Sequence, residues 1–195
     1  MNYKTEQEAR ELLVAYGNHL LETGLVQGTW GNLSIRIGEN EMLVTPSGLN
    51  YEDLGPDDMV PVCLDTLKWE GLHKPTSERS LHAGIYLSRP EVGAIVHTHS
   101  KYCAVYAACQ MPMLLKGEDS GLLGERILCA KYALSGTKRL AKQAQKALGK
   151  NNAVFLAHHG MIACGEDMEK AFANAVRLEK IAEETIEARW ARIGH

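Results

Sequence analysis

Two apolar runs that each end in histidine are the strongest constraint on how this chain can fold. The first, EVGAIVHTHS over residues 91–100, ends in His97 and His99, one residue apart. Alternate residues of a β-strand face the same side and rise ~3.3 Å each, so the two imidazoles would leave one face roughly 6 to 7 Å apart at the backbone. That geometry suits two nitrogens that bind one metal ion at ~2.0 to 2.1 Å. The alternative is an exposed histidine pair at a strand end.

The second run, AVFLAHHG over residues 153–160, ends in the adjacent His158 and His159. A strand can direct only one of two neighbouring side chains into a shared site. His97, His99 and one histidine of this pair would supply the three nitrogen ligands of a catalytic zinc site that keeps one position open. No comparable setting surrounds the other histidines, which are predicted to be ordinary surface or core residues: His19, His73, His82 and His195.

The composition indicates one globular domain, residues 1–195, that binds small molecules. A chain of 195 residues can bury a sizeable core without disulfides, and 45% hydrophobic with 23% charged residues is ordinary for such a domain. The 21 basic and 24 acidic residues give a net charge of -3 without a Lys/Arg run, so a nucleic-acid partner is not expected.

Cysteine usage and hydropathy indicate the cytoplasm. The five cysteines are an odd number without a CxxC spacing, which argues against a disulfide framework and favours a reducing compartment. The first ten residues are polar, and no stretch approaches the ~18 apolar residues of a membrane-spanning helix. We therefore expect no membrane association.

Hydrophobic periodicity predicts helices around a largely antiparallel sheet. Helices are predicted from the Thr5/Glu8 capping-box pattern to Gly24 and over residues 77–88, 101–109, 137–148 and 168–192. Besides the two histidine runs, strands are predicted over residues 33–37 with 42–44, 59–64 with 67–69, 113–115, 127–129 and 161–164. Residues 116–125 are predicted to be irregular.

Three short loops of small polar residues lie where elements begin or end: GTWGN (28–32), TPSG (45–48) and PTSE (75–78). Glycine allows close backbone approach, and Thr, Ser and Asn offer neutral donors, a combination that can wrap a phosphate. Ordinary turn chemistry is the alternative for each loop taken alone. Ser77 is predicted to cap the following helix, where Glu78 and free backbone N–H groups would form an anion site. Otherwise, Glu78 is a solvated first-turn glutamate.

The order GTWGNLS, TPSG, PTSE, HTHS, HHGMIACG resembles the class II aldolase/adducin family over nearly the full chain, and within it the L-fuculose-phosphate aldolases. The resemblance implies an α/β fold, a three-layer α/β/α sandwich around a mainly antiparallel sheet. It implies one Zn²⁺ per subunit, with Mn²⁺ or Co²⁺ as other possible metals, and a homotetramer with active sites at subunit interfaces. The implied reaction is reversible cleavage of a ketose 1-phosphate, similar to L-fuculose 1-phosphate, to dihydroxyacetone phosphate and a short aldehyde such as lactaldehyde.

The resemblance also assigns residues by position. His97, His99 and His159 match the zinc ligands, and Glu78 matches the residue that binds zinc in the empty enzyme and acts as acid/base once substrate displaces it. The matching phosphate-binding positions are Thr29, Asn32, Ser47, Gly48, Thr76 and Ser77. Thr76 stands where the family often has serine, and it keeps the hydroxyl.

A more serious departure lies at MPMLLKGEDSG, residues 111–121. The fuculose-phosphate enzymes have a tyrosine near here that reaches the neighbouring subunit's site and helps to protonate the aldehyde oxygen. Either Lys116 has a related role or the aldehyde half of the substrate binds differently. The tail RWARIGH also shows no clear match to the aromatic tail residues of those enzymes.

Three alternatives stay open. A pentulose-phosphate 4-epimerase shares the zinc histidines but usually has aspartate at the position of Glu78, which favours an aldolase. An aldolase or dehydratase for 5-deoxy or methylthio pentulose phosphates is consistent with the missing tyrosine. A non-catalytic adducin-like module would lack the metal residues that are all present here.

Overall fold

The structure is a computed structural model that describes residues 3–193. The predicted domain span of 1–195 and the prediction for His195 therefore extend beyond the described residues. Within residues 3–193, no helix combines the length and the apolar character needed to cross a membrane.

Within residues 3–193, nine strands form two sheets. The strands are β1 (Asn32–Arg36), β2 (Glu41–Val44), β3 (Val60–Cys63), β4 (Ala94–Thr98), β5 (Met113–Leu114), β6 (Arg126–Ile127), β7 (Cys129–Ala130), β8 (Ala153–Leu156) and β9 (Gly160–Gly165). Seven of them make the main sheet in the order β3-β2-β1-β4-β9-β8-β7, and β5 pairs with β6 separately. Every neighbouring pair of the main sheet is antiparallel except β7 and β8, which confirms the mainly antiparallel prediction.

The part of the chain that the structure describes contains six α-helices: α1 (Glu6–Glu22), α2 (Arg79–Ser88), α3 (Lys101–Cys109), α4 (Gly117–Leu123), α5 (Lys138–Leu148) and α6 (Met168–Ile193). One core lies between the sheet and α1, α3 and α6, and a second lies between the sheet and α2 and α5. Alternation along β4 serves both cores, because Ala94 and Val96 face the first and Ile95 faces the second. The three-layer α/β/α prediction is therefore confirmed.

The structure corrects the prediction for residues 116–125, which are not irregular. Gly117–Leu123 form α4, and Lys116 is the residue before its first turn. Local sequence hides this helix because it is short and contains two glycines, which disfavour helix formation. Tertiary contacts hold it instead: Leu123 is fully buried, and Asp119 makes a two-pronged ion pair with Arg177 at 2.6 and 2.8 Å.

Three other boundaries differ from prediction. The helix predicted from Ser77 begins at Arg79, and Glu78 is its N-cap. The second predicted hairpin is reduced to one bridge between Val62 and Trp69, and β3 pairs with β2 along its whole length. The second histidine run is a strand only to Leu156, and a turn follows.

Candidate functional site

The three candidate metal ligands meet at one end of the main sheet. His97 lies in β4 and is fully buried, and His99 follows just after the strand. Their Nε2 atoms are 3.0 Å apart. The His159 ring centroid lies 4.8 Å from each of the other two ring centroids. One ring nitrogen from each histidine lies within 4.8 Å of the others, so the three could hold one ion.

The turn between β8 and β9 separates the two adjacent histidines. His158 has a positive φ of 56° and is exposed, with its Nε2 3.0 Å from Gln110 Nε2. His159 points into the cluster. Turn geometry therefore makes the selection that strand alternation was expected to make. Gly160 is required next to His159, because a Cβ there would lie 2.2 Å from the Thr98 carbonyl oxygen and 2.9 Å from the His99 ring.

Glu78 lies against the same nitrogens. Its Oε2 is 2.8 Å from His97 Nε2, and its Oε1 is 3.5 Å from His159 Nε2. The side chain is 4% exposed, so it is not the solvated first-turn glutamate of the alternative interpretation. Ser135 donates a hydrogen bond of 2.8 Å to Oε1 and holds the carboxylate in this position. Sequence reasoning missed Ser135, which is 57 residues away along the chain.

The donor set fits a cation. His97 Nδ1 lies 2.8 Å from the Met161 carbonyl oxygen, which can only accept, so Nδ1 carries the proton and a neutral His97 presents a lone pair at Nε2. That lone pair faces His99 Nε2 and Glu78 Oε2, and Oε2 is buried without a hydrogen bond. Lone pairs converging in this way repel one another unless a cation lies between them. A backbone partner on the far ring nitrogen is the usual arrangement around a histidine ligand.

The protonation states support this interpretation. Burial lowers the pKa of His99 to about 4 and, with the charge of His97, lowers the pKa of His159, so both rings are neutral at physiological pH. Burial opposes charge on His97 and Glu78, but their mutual attraction outweighs it, raising the pKa of His97 and lowering that of Glu78. The Glu78 carboxylate therefore favours a positive charge beside His97 Nε2, which a bound metal ion would supply.

The three small-residue loops meet beside the histidines. TPSG and PTSE are joined by two backbone hydrogen bonds, Ser47 N–H to the Lys74 carbonyl at 2.9 Å and Thr76 N–H to the Thr45 carbonyl at 3.1 Å. GTWGN packs on β4 through Gly31, where φ is 91° and a Cβ would lie 2.6 Å from the His97 carbonyl oxygen. These contacts make one wall from three distant segments.

One cleft contains nearly all of the predicted site. Its lining is Thr29, Trp30, Gly31, Asn32, Pro46, Ser47, Gly48, Thr76, Ser77, Glu78, His99, Ser135 and His159. Of the predicted residues, only the fully buried His97 is not part of this lining. Lys116, which was considered as a replacement for the family tyrosine, does not line the cleft of its own chain.

Sequence reasoning also missed His82, which it left among the ordinary histidines. His82 is fully buried and binds Asn32 Oδ1 through Nε2 at 2.6 Å. Burial, with the charge of His97, lowers the pKa of His82 to about 3, so its ring is neutral. The spacing of His82 four residues after Glu78, on the same helical face, is the only sequence signal that could have found it.

Volume alone would select a different cleft as the candidate site. A cleft of about 570 Å³, against about 160 Å³ for the one described, is bordered by Arg89, Lys170 and Arg177. These three cations are already paired with Glu91, Glu166 and Asp119. The smaller cleft is the candidate site because the three histidines and Glu78 converge at it.

The comparisons with known proteins agree with this geometry. The family model described as the class II aldolase and adducin N-terminal domain matches residues 11–186. The chain belongs to the class II aldolase and adducin family. This membership confirms the resemblance seen in the motifs, and proteins of this family that are class II aldolases generally depend on a metal ion.

Curated relatives of the family cover most of the chain. A 5-methylthioribulose-1-phosphate/5-deoxyribulose-1-phosphate aldolase from Rhodospirillum rubrum is 39% identical, covering 90% of this chain and 79% of that protein. A 5-deoxy-D-ribulose 1-phosphate aldolase from Bacillus thuringiensis serovar kurstaki is 37% identical, covering 91% and 84%. An L-fuculose phosphate aldolase from Haemophilus influenzae is 35% identical, covering 84% and 75%.

Solved structures of the family confirm the fold. A structure of L-fuculose 1-phosphate aldolase superposes with a TM-score of 0.89 at 33% identity, covering 93% of this chain and 86% of that one. The homotetramer expected from the family stays a prediction.

Proposed function

We propose that the chain is a metal-dependent class II aldolase that reversibly cleaves a ketose 1-phosphate to dihydroxyacetone phosphate and a short aldehyde. The observation that carries the proposal is the meeting of three histidines, Glu78 and three loops of neutral donors in one cleft. Relatives named as aldolases of ribulose 1-phosphate derivatives or of fuculose phosphate support the same reaction.

His97, His99 and His159 would hold the metal, with Glu78 as a fourth ligand in the absence of substrate. A divalent ion there supplies Lewis-acid stabilisation of the negative charge that develops as the carbon–carbon bond breaks. We assign zinc, because three neutral imidazoles with one open position are a usual catalytic zinc set. Mn²⁺ and Co²⁺ fit the same donors, and supply in the cell influences which ion is bound.

Glu78 would transfer the protons. In the cleavage direction, the C4 hydroxyl loses its proton, the C3–C4 bond breaks with its electron pair left on C3, and C3 then gains a proton. The Glu78 carboxylate, held by Ser135, would accept the first proton and return one to C3. General acid–base catalysis of this kind contributes ~10² to 10⁴-fold. Glu78 becomes more basic when it leaves the cation.

The phosphate loops would bind the group that does not react. Hydroxyls of Thr29, Ser47, Thr76 and Ser77, the Asn32 amide and the Gly48 backbone lie on the cleft wall beside the histidines. Holding the phosphate there would orient the ketone toward the three histidines, so that binding energy from a remote group serves orientation at the reacting carbons.

Two substrates fit this chemistry. L-fuculose 1-phosphate would give lactaldehyde, whereas 5-deoxyribulose 1-phosphate would give acetaldehyde, which lacks the hydroxyl-bearing carbon of lactaldehyde. The relatives that cover about nine tenths of the chain carry the 5-deoxyribulose name, and residues 111–121 contain no tyrosine to protonate the aldehyde oxygen. These two observations favour a 5-deoxy or 5-methylthio pentulose phosphate as the second candidate beside the fuculose phosphate.

The test is a coupled assay for dihydroxyacetone phosphate release from L-fuculose 1-phosphate, 5-deoxyribulose 1-phosphate and its 5-methylthio analogue. Each substrate is assayed with the protein as purified, after chelator treatment, and after zinc, manganese or cobalt is restored. We expect release that the chelator abolishes and a metal restores. The ratio of kcat/KM between substrates then identifies the aldehyde half.

A zinc-containing protein that releases no dihydroxyacetone phosphate from any of the three would contradict the aldolase proposal. Inversion at C4 of a pentulose phosphate would then indicate the 4-epimerase, and loss of water would indicate the dehydratase. A folded protein that binds no metal would instead favour the adducin-like module.

A further inference from the structure

A chain of buried polar groups runs from the second core to the cleft. Tyr86 OH lies 2.8 Å from Ser34 Oγ, Ser34 Oγ lies 2.7 Å from His82 Nδ1, and His82 Nε2 lies 2.6 Å from Asn32 Oδ1. Asn32 and Ser34 share one face of β1, and His82 and Tyr86 share one face of α2. All four side chains are buried, but only Asn32 also lines the cleft.

Counting the available hydrogens determines which group donates in each hydrogen bond of this series. The neutral His82 ring carries a single N–H, so one ring nitrogen donates and the other accepts. Ser34 Oγ is the only hydrogen-bond partner of the Tyr86 hydroxyl within residues 3–193. If Ser34 donated to Tyr86, the buried phenolic hydrogen would have no acceptor, which is unfavourable for a buried polar group. Tyr86 therefore donates to Ser34, and Ser34 donates to His82 Nδ1.

The remaining His82 proton then lies on Nε2 and is donated to Asn32 Oδ1. This contact sets the orientation of the amide, because an amide turned the other way would place its own N–H group against a ring N–H. With Oδ1 held by His82, the Nδ2 group is the one left for a ligand in the cleft. Asn32 thus presents a donor, as an anion requires, rather than a carbonyl oxygen that would repel it.

We propose that His82 is a positioning residue that fixes the Asn32 amide as a hydrogen-bond donor to the substrate phosphate, through the one-directional chain Tyr86, Ser34, His82, Asn32. The inference rests on the proposed function, since it takes the phosphate to bind at Asn32. His82 itself touches neither the phosphate nor the reacting carbons. Its influence should therefore appear in binding of the phosphorylated ligand and in KM, with little change in kcat.

The experiment is a double-mutant cycle on zinc-loaded protein, with dihydroxyacetone phosphate binding measured by titration calorimetry. Asn32→Ala should weaken binding about 10- to 100-fold, the effect of one hydrogen bond to a charged group. His82→Leu should weaken it by a similar factor in the wild-type background. In the Asn32→Ala background His82→Leu should have almost no further effect, because His82 acts through Asn32.

Asn174→Ala is the matched structural control. It removes another buried amide, which lies on α6 and donates to the Cys164 carbonyl at 2.8 Å, away from the cleft lining, so it should lower the melting temperature without changing dihydroxyacetone phosphate affinity. If His82→Leu does not fold, Ser34→Ala replaces it. Loss of the Ser34 hydroxyl frees the His82 tautomer and should weaken binding about 2- to 10-fold, again only while Asn32 is present.

The outcomes separate the two proposals. Wild-type protein that does not bind dihydroxyacetone phosphate overturns the proposed function and this inference together. Wild-type binding with an unchanged affinity in both His82→Leu and Ser34→Ala overturns the positioning role alone. The positioning role is also overturned if His82→Leu weakens dihydroxyacetone phosphate binding equally in the wild-type and Asn32→Ala backgrounds, because that result would show a general structural effect.

Discussion

The proposed metal side and the proposed phosphate side of the cleft are built in different ways. The metal side comprises His97, His99, His159 and Glu78, whose side chains converge from β4, the β8–β9 turn and the start of α2. The phosphate side consists of loop residues that carry hydroxyls, amides and backbone N–H groups. On the metal side, repelling lone pairs require a cation. On the phosphate side, neutral groups attract an anion only when they are turned the right way.

The two sides therefore differ in which residues determine ligand binding. Convergence of ligand atoms is nearly sufficient for a metal, so the motif residues themselves carry the site. A hydroxyl can rotate and an amide can flip, so neutral donors need support from residues outside the motifs. Two kinds of contact can provide that support here. Backbone hydrogen bonds join the TPSG and PTSE loops, and the buried His82 contacts Asn32. Substitutions on the metal side should therefore affect metal content and kcat, and those on the phosphate side should affect KM.

The largest effect is expected from removing the metal ligand that lies in the turn between β8 and β9. His159→Asn should weaken zinc binding more than ~100-fold, because it removes a ligand, whereas losing an outer-shell partner typically costs ~10- to 100-fold. Metal-dependent activity should fall to background. Zinc per chain after dialysis, and competition with a chelating dye, measure the affinity.

His158→Asn is the matched control for that variant. His158 is exposed and has a positive φ that asparagine tolerates, so zinc content and activity should stay at wild-type levels. Equal zinc loss in the two variants would mean that His158 can replace His159, and the assignment of the third ligand would then be wrong.

The next largest effect is expected from Glu78→Gln, which distinguishes a role in metal binding from a role in proton transfer. Glu78→Gln keeps the size of the side chain and the Ser135 contact but removes the basic carboxylate. We expect zinc to remain bound by the three histidines while kcat falls ~10² to 10⁴-fold. Zinc content and steady-state kinetics on the best substrate of the coupled assay provide the measurement. Turnover close to wild type would remove Glu78 from the proton transfers.

The same contrast explains how much was predictable. Strand alternation brought His97 and His99 together, and small-residue loops marked the phosphate side, because both patterns are local in sequence. Ser135 and His82 escaped prediction because their partners, Glu78 and Ser34, lie 57 and 48 residues away. Helix α4 escaped for a related reason, since its stability comes from Arg177 and from burial rather than from its own sequence. Residues that act through distant partners leave no periodic signal.

The smallest effect concerns acid stability, and it tests whether the support for the phosphate side depends on a neutral histidine. The pKa of His82 is lowered to about 3 by burial and by the charge of His97, whereas the unfolded chain has the ordinary value of ~6.5. Below that value the unfolded state binds a proton that the folded state does not, so stability falls as the pH falls. Between about pH 7.5 and about pH 5.5 this one group should lower the free energy of unfolding by roughly 1 kcal/mol.

His82→Gln removes the titrating group but keeps an amide donor for Asn32, so its unfolding free energy should decline less than that of the wild type over the same pH range. Urea unfolding of both proteins in chelator measures the difference. Because the metal ligands titrate in both proteins, their contribution largely cancels in the comparison. Equal losses would show that His82 takes up a proton in the folded state, and a protonated ring could not accept from Ser34. The direction of the chain to Asn32 would then no longer be fixed, and the phosphate side would need another source of order.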